Sequence, residues 1–514
     1  MLSVKKKSIL NLVFSLAYKI ITMVFGIVLP LLFITSYGSE LNGLQSSVQQ
    51  IFTYTTLLES GIGAATLQSL YKPVASKDRT TINSYLSATS KYYNKIGVIY
   101  FGLLVVIAVI YSLAVSVESM AFIEVVAYIV VAGSLNGVNF FYLAKLKLLI
   151  SAEGDEYVVS ILSTVTYVLT SIAKIVLITK GINIIFLQLC HFSINIGVTF
   201  VYYLIAKKKY PWLSFKTEPN YEGMKQKNSV LIHRISSLVF QNIDVLILTF
   251  MCNLEIVSIY TIYKLVINMI TTIIASMSDS TSFIFGRKMN NGDEEHAEYK
   301  QVVDTFNVLY SSVAFALYVV TYLLILPFLK LYTASMDLNY IIPTLPWLYI
   351  SIEILTVGRQ AMMKTIEVAG HFKETQWRAV VEVVLNMVVS IVAVVFCKHL
   401  WGEIGGLYGV LFGTIIAMLY RTIDINIYAN KRILKRSSWK TFGIILTNLC
   451  LFVLVVFFVK PLVPFINSYT EFILHAVWIT LLVVSLFVVV QFTINIKETK
   501  KLLYYIRNRK KKNG

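Results

Sequence analysis

Long apolar runs separated by short polar segments dominate the chain. Each run has about twenty residues or more, the length that a helix needs to cross the hydrocarbon core of a bilayer. The pattern therefore predicts an all-α integral membrane protein with about 14 transmembrane helices. The predicted spans cover residues 8–35, 43–70, 93–115, 122–143, 157–179, 183–206, 229–251, 257–285, 302–329, 341–363, 376–397, 405–428, 441–459 and 472–496.

The longest polar segment divides the spans into two groups of six and a final pair. Two lobes of equal helix number are typical of transporters that work by alternating access. We therefore predict five regions. They are an N-terminal lobe (1–206), a cytoplasmic inter-lobe loop (207–228), a C-terminal lobe (229–440), an extra helix pair (441–496) and a basic cytoplasmic tail (497–514).

Composition excludes a water-soluble protein and leaves no room for a catalytic domain. Hydrophobic residues make up 57% of the 514 residues and charged residues 14%, whereas soluble proteins have about 25% charged residues. The nucleotide-binding, zinc-protease and serine-hydrolase motifs are absent. The four cysteines and six histidines are scattered, so we expect no enzyme activity, no metal site and no resident cofactor.

The net charge of +18 is mainly a signal of topology. Placing every Lys and Arg in a span or a connecting segment puts 35 of the 45 on the side of the N-terminus. Because basic loops stay in the cytoplasm, both termini are predicted to be cytoplasmic. The opposite side carries Lys180, Lys330, Lys398 and Lys460.

Lys95 and Arg378, at the cytoplasmic ends of their spans, are counted with the adjoining segments, and six basic residues remain inside the spans. Each costs about 2.5–3.5 kcal/mol at the bilayer centre, so they should face water, substrate or an acidic partner. Two of them, Lys174 and Arg421, lie close enough to span ends to be ordinary interfacial residues. The six are Lys19, Lys174, Arg234, Lys264, Arg359 and Arg421.

Four of these cations are candidate substrate-binding residues. Lys19 lies near the middle of its span and Arg359 in the cytoplasmic half of span ten, so both are predicted to line a cavity. The alternative for them is an internal ion pair or snorkelling. Arg234 and Lys264 lie nearer span ends, where function and snorkelling are equally compatible with the sequence. A cavity with several cations suits an anionic headgroup, particularly a pyrophosphate.

Acidic residues at membrane depth are candidates for coupling transport to an ion gradient. Glu59 lies beside Gly61 and Gly63, where a partly unwound helix would open it to a cavity. Asp244 and Glu353 lie within spans seven and ten. For Glu59 and Asp244, an ion pair with Lys19 or Arg234 competes equally with a protonatable coupling site. Gly405, Gly409 and Gly413 recur every four residues and predict a close-packing helix face.

Several segments resemble Wzx-type polysaccharide flippases of the multidrug/oligosaccharidyl-lipid/polysaccharide (MOP) exporter superfamily. Their order and spacing, together with the span count, carry the resemblance. The segments are 37–44 (YGSELNGL), 59–63 (ESGIG), 70–75 (LYKPVA), 242–244 (NID), 258–263 (SIYTIY), Arg359, and 369–376 (AGHFKETQ).

The resemblance implies a MATE-like, alternating-access protein of a bacterial cytoplasmic membrane. It would move undecaprenyl-pyrophosphate-linked oligosaccharide from the inner to the outer leaflet for capsule, exopolysaccharide or O-antigen synthesis. Pyrophosphate binding would fall to Lys19, Arg234, Lys264 and Arg359, and coupling to an H+ or Na+ gradient to acids such as Glu59 and Asp244. Membrane lipids and a polysaccharide polymerase are the expected partners. A monomer is expected, because one pair of lobes can form its own pathway.

Three alternatives remain open. A cation-coupled multidrug antiporter of the superfamily would share the fold but have a more acidic cavity. A flippase for the peptidoglycan precursor cannot be separated from an oligosaccharide flippase by the sequence. A non-transporting membrane scaffold would pair all of its deep charges internally.

Overall fold

The computed structural model describes residues 4–55, 57, 62–224, 228–289 and 293–494, and these contain helices and no strand. Among them, twelve helices are long and apolar enough to cross a membrane by length and composition, so the protein is a multi-pass membrane protein. The predicted all-α membrane fold is confirmed. The predicted number of about 14 transmembrane helices was approximate. Glu59 and the basic tail lie outside the described residues.

The chain divides into two compact units, Met1–Ser258 and Ile259–Gly514. Among its described residues, unit 1 contains seven α-helices before α8: α1 (Val4–Thr55), α2 (Ile62–Ala75), α3 (Arg79–Ala114), α4 (Phe122–Val138), α5 (Ala144–Ala152), α6 (Glu156–Thr179) and α7 (Ile184–Lys209). Helix α8 (Asn228–Met251) packs on α1 in the same unit. The first turn of helix α9 (Leu254–Met289) belongs to unit 1, and the rest of the helix belongs to unit 2. The other α-helices described in that unit are α10 (Asp293–Tyr332), α11 (Leu345–Ala369), α12 (Phe372–Trp401), α13 (Glu403–Tyr428), α14 (Trp439–Val459) and α15 (Tyr469–Ile494).

The difference between twelve and fourteen has two physical sources. Helix α1 contains the first predicted span and part of the second, and its path turns at Gly38, where φ is 87° and ψ is 167°. A residue with a side chain avoids this conformation, so glycine permits the turn. Helix α11 is not among the twelve because Glu353, Arg359, Lys364 and Glu367 lower its mean hydropathy.

Segments that carry the family resemblance meet within unit 1. The Asn42 side-chain amide donates a hydrogen bond to the Ser258 hydroxyl at 2.8 Å. A Cβ at Gly43 would lie 1.9 Å from the carbonyl oxygen of Leu254. The start of α9 therefore packs against the backbone of α1, and this contact needs glycine at position 43.

The segment after α7 is fastened to unit 1. The Asn83 side chain donates to the Trp212 carbonyl oxygen at 3.2 Å and accepts from the Ser214 amide at 3.1 Å. Ser87 donates to the carbonyl oxygens of Phe215 and Thr217. Residues 212–217 of the predicted loop therefore follow the surface of α3. The division of the chain into five regions stays a prediction.

Candidate functional site

Lys19 is exposed on the surface of unit 1. It lies ten residues, or about 15 Å along the helix, from Ile9, which places it well inside the apolar part of α1. Its exposed neighbours Leu16 and Ile20 are apolar. Among the described residues, Lys19 has no ion-pair partner. Helix α1 therefore presents one cation within an apolar exposed face.

Helix α8 carries Arg234, which is exposed, and Asp244, which is 4% exposed. Ten residues separate them, a rise of about 15 Å, so they are too far apart for a direct ion pair. Asp244 instead interacts electrostatically with Tyr54 of α1.

Unit 2 brings Lys264, Glu353 and Arg359 into one electrostatic neighbourhood. Glu353 accepts hydrogen bonds from the Tyr318 hydroxyl at 2.8 Å and the Thr271 hydroxyl at 3.2 Å. The Lys264 amino group is 3.2 Å from the Tyr260 hydroxyl. Helices α9, α10 and α11 thus surround a partly buried carboxylate with two hydroxyl donors and two nearby cations.

Arg359 also belongs to a chain of ion pairs. Its guanidinium is 2.6 Å from Glu382, whose other carboxylate oxygen is 3.2 Å from Arg421. Arg421 is 3.0 Å from Asp424, which also pairs with Arg378. The Arg421 side chain is only 1% exposed. Three arginines thus alternate with two acids inside unit 2, and Arg359 occupies the internal ion pair that the sequence left as its alternative.

A cavity of about 640 Å³ lies inside unit 1. It is lined by α1, α4, α5, α6 and α7, and by the π-helical turn Asn139–Leu143. Lys147, Lys174 and His191 supply its ionisable groups other than tyrosines. None of the described lining residues is Asp or Glu. Lys19 is not among the lining residues, although its neighbour Tyr18 is.

The sequence interpretation missed this cavity and the burial of Arg421. Lys174 and Arg421 lie near span ends, so the sequence predicted them to be residues of the membrane–water interface. Both side chains instead point into their units. For Arg421, one signal was available: Asp424 follows three residues later on the same helix face. For Lys174, the relevant neighbour is His191 on the next helix, and single-helix periodicity cannot pair them.

No protein-family model and no curated protein matches the sequence, but solved structures match the fold. The lipid II flippase MurJ in an inward closed conformation aligns with a TM-score of 0.63 at 13% identity, covering 94% of this chain and 100% of that one. An inward-facing multidrug resistance MATE transporter of the MOP superfamily aligns with a TM-score of 0.60 at 15% identity, covering 80% and 95%. A MOP superfamily transporter from Pyrococcus furiosus, described as having a binding pocket of reverse polarity, aligns with a TM-score of 0.51 at 14% identity, covering 84% and 95%. The chain therefore has the fold of MOP transporters.

Proposed function

We propose that the protein is an alternating-access flippase for undecaprenyl-pyrophosphate-linked oligosaccharides in a bacterial cytoplasmic membrane, supplying capsule, exopolysaccharide or O-antigen synthesis. The proposal rests chiefly on Lys19. A cation at this depth needs an anionic or aqueous partner, and among the described residues it has no ion pair. The apolar residues around it match the isoprenoid part of such a lipid, and its ammonium group matches the pyrophosphate.

The test is transport by purified protein in vesicles, using a fluorescent undecaprenyl-pyrophosphate-linked oligosaccharide. Lys19→Ala should reduce the flipping rate by about tenfold or more, since a charge-assisted contact is lost. Lys19→Arg should retain much of the rate. Ile20→Ala, on the same exposed face, is the matched control. A wild-type rate for Lys19→Ala contradicts the pyrophosphate role.

A flippase for the peptidoglycan precursor is the second candidate. It is favoured by the alignment with MurJ, which spans 94% of this chain, against 80% for the MATE transporter. Measuring lipid II and the oligosaccharide lipid in the same vesicles separates the two candidates. Faster flipping of lipid II would replace the first proposal by the second.

Coupling to an H+ or Na+ gradient would fall to Glu353, Asp244 and Glu59. Glu353 has the clearest support, because its two hydroxyl donors and two nearby cations can stabilise its charged form and respond to its neutralisation. Glu353→Gln should flatten the dependence of flipping on the gradient. Lys264 and Arg234 complete the proposed set of substrate-binding cations. Arg359 would join them by exchanging its ion pair with Glu382 for the substrate, and we propose a monomer that hands its product to a polysaccharide polymerase.

A further inference from the structure

The turn of α1 at Gly38 is fastened on both sides to other parts of unit 1. Before the turn, the Tyr37 hydroxyl donates a hydrogen bond to the carbonyl oxygen of Ile182, between α6 and α7. After the turn, the Glu40 carboxylate accepts hydrogen bonds from the segment between α3 and α4. The donors are the Glu118 amide at 2.6 Å, the Ser119 amide at 3.1 Å and the Ser119 hydroxyl at 2.6 Å. Two inter-helix segments therefore meet α1 at the same end of unit 1.

An apolar plug lies between this end and the cavity inside unit 1. The cavity lining reaches Phe33 on α1 and Ile178 on α6, and these residues are 4% and 3% exposed. The Tyr37 ring lies beyond Phe33, with the two ring centroids 4.9 Å apart. Ile184 and Leu187 of α7 belong to the same apolar cluster. These five residues form the apolar plug, which separates the cavity from the turn between α6 and α7.

The opposite end of α1 is fastened by charge. Lys7 contacts the Asp155 carboxylate at 2.7 Å and donates a hydrogen bond to the Glu153 carbonyl oxygen at 2.8 Å, between α5 and α6. Charge-assisted hydrogen bonds are about twice as strong as neutral ones. The neutral bond from Tyr37 to Ile182 is therefore the weaker of the two fastenings. The turn between α6 and α7 can separate from α1 at a lower cost than the turn between α5 and α6.

The cavity wall next to the plug is polar. Ser171 and Lys174 line the cavity from the α6 turns before Ile178, and Gln188 lines it directly after Leu187 on α7. Polar groups at membrane depth are tolerated where they line a space that holds water or a polar solute. Such contents cannot leave through lipid, so the cavity needs a path to a membrane face. The plug is the barrier on the path toward the α6–α7 turn.

We propose that the apolar plug is a gate between the unit 1 cavity and the membrane face that carries the α6–α7 turn. Tyr37 makes the contact that breaks, and Glu40 makes the contact that stays. When the Tyr37 hydroxyl leaves the Ile182 carbonyl oxygen, the turn moves away from Phe33 and the cavity opens to that face. Glu40 keeps α1 on the α3–α4 segment, so α1 does not follow the turn. The gate goes beyond the proposed function, because it controls access to the cavity whatever solute the cavity holds.

The test measures how fast a cysteine in the cavity wall reacts with the membrane-impermeant thiol reagent 2-sulfonatoethyl methanethiosulfonate. Gln188→Cys is the reporter, in the full-length protein with its four native cysteines replaced by alanine. Lys180→Cys, at the exposed end of α6, identifies the membrane face of the turn and gives the rate of an accessible cysteine. With Tyr37 present, the reporter should react from that face about tenfold more slowly than Lys180→Cys, because the closed state dominates.

Tyr37→Phe should raise the reporter's rate from that face about fivefold. The change removes one hydrogen bond from the closed state and keeps the ring in the plug. The rate from the opposite face should not rise. Tyr203→Phe, which removes a hydroxyl from an exposed ring of α7, is the matched control and should leave both rates unchanged.

Three results would overturn the gate. The first is a reporter that reacts as fast as Lys180→Cys while Tyr37 is intact, a measurement that does not depend on a Tyr37 variant folding. The second is an unchanged rate in Tyr37→Phe. The third is an equal rise from both faces, which indicates a general loosening of unit 1. Because labelling requires no lipid transport, a gated cavity in a protein that flips no lipid would leave this inference standing and reject the proposed function.

Discussion

The two units treat their deep charges in opposite ways. In unit 2, Arg359 and Arg421 share Glu382, and Arg421 also contacts Asp424. In unit 1, neither Lys19 nor Lys174 has an ion-pair partner among the described residues. Paired charges contribute to holding helices together, whereas an unpaired cation leaves its electrostatic attraction available to a ligand. The comparison favours Lys19 of unit 1 as the first position to test for anion binding, and the roles of the cations in both units stay predictions.

The largest expected effect comes from breaking the network of unit 2. Glu382→Gln leaves Arg421 buried with less compensating charge, so we expect a loss of about 3–5 kcal/mol in the free energy of unfolding. Thermal unfolding of the detergent-solubilised protein measures it. Glu403→Gln is the control, because its pair with Lys398 is more exposed and should contribute about 0–1 kcal/mol. Equal shifts for both variants would contradict a structural role for the network.

A smaller effect is expected at the polar end of unit 1, where charges are paired. Lys7 contacts Asp155 at 2.7 Å, and Lys209 contacts both Asp155 and Glu153. Burial raises the pKa of the Asp155 carboxyl, but hydrogen bonds from Lys209 and Lys7 outweigh burial and leave the pKa below its usual value. The stabilisation is therefore present above the unfolded pKa of about 3.9 and disappears as the pH falls through the lower folded value.

Asp155→Asn should accordingly cost about 2 kcal/mol at pH 7, as expected for hydrogen bonds to a charged group. The difference in melting temperature between this variant and wild type should shrink as the pH is lowered toward about 3. A difference that stays constant over this range would show that the charge of Asp155 does not stabilise unit 1.

The smallest stability effect is expected for Lys174→Met. No acid among the described residues is left unpaired by this change, and a deep cation is removed. The free energy of unfolding should change by less than about 1 kcal/mol or increase. Thermal unfolding in parallel with Glu382→Gln gives the direct comparison. A loss as large as that of Glu382→Gln would mean that Lys174 is structural, and the contrast between the units would fail.

Hydropathy was sufficient to predict the membrane helices, because burial in lipid acts on each run of residues separately. The glycine spacing was equally informative: a Cβ at Gly405, Gly409 or Gly413 would lie 2.0–2.5 Å from atoms of α12, which confirms the predicted close-packing face. Both signals are local to one helix. They need no knowledge of which helices are neighbours.

Side-chain partners required information that one helix does not contain. Glu382 and Arg421 are on different helices, and Lys174 of α6 interacts with His191 of α7, so their roles depend on helix order and rotation. The predicted substrate-binding cations and the coupling candidate Glu353 separate accordingly. Lys264, Glu353 and Arg359 are close together in unit 2, Lys19 and Arg234 are exposed in unit 1, and their roles stay predictions.

The glycine face between α12 and α13 also has a mechanical consequence. Where the backbones touch, as at Gly409 against Val394, two helices cannot slide past each other without a steric clash. Helices α12 and α13 therefore move as one rigid body. Glu382 of α12 and Arg421 of α13 therefore keep a fixed separation. The Arg359–Glu382 ion pair joins α11 to this helix pair. A motion within unit 2 that alters the network must therefore change this ion pair, while the ion pairs between α12 and α13 stay fixed.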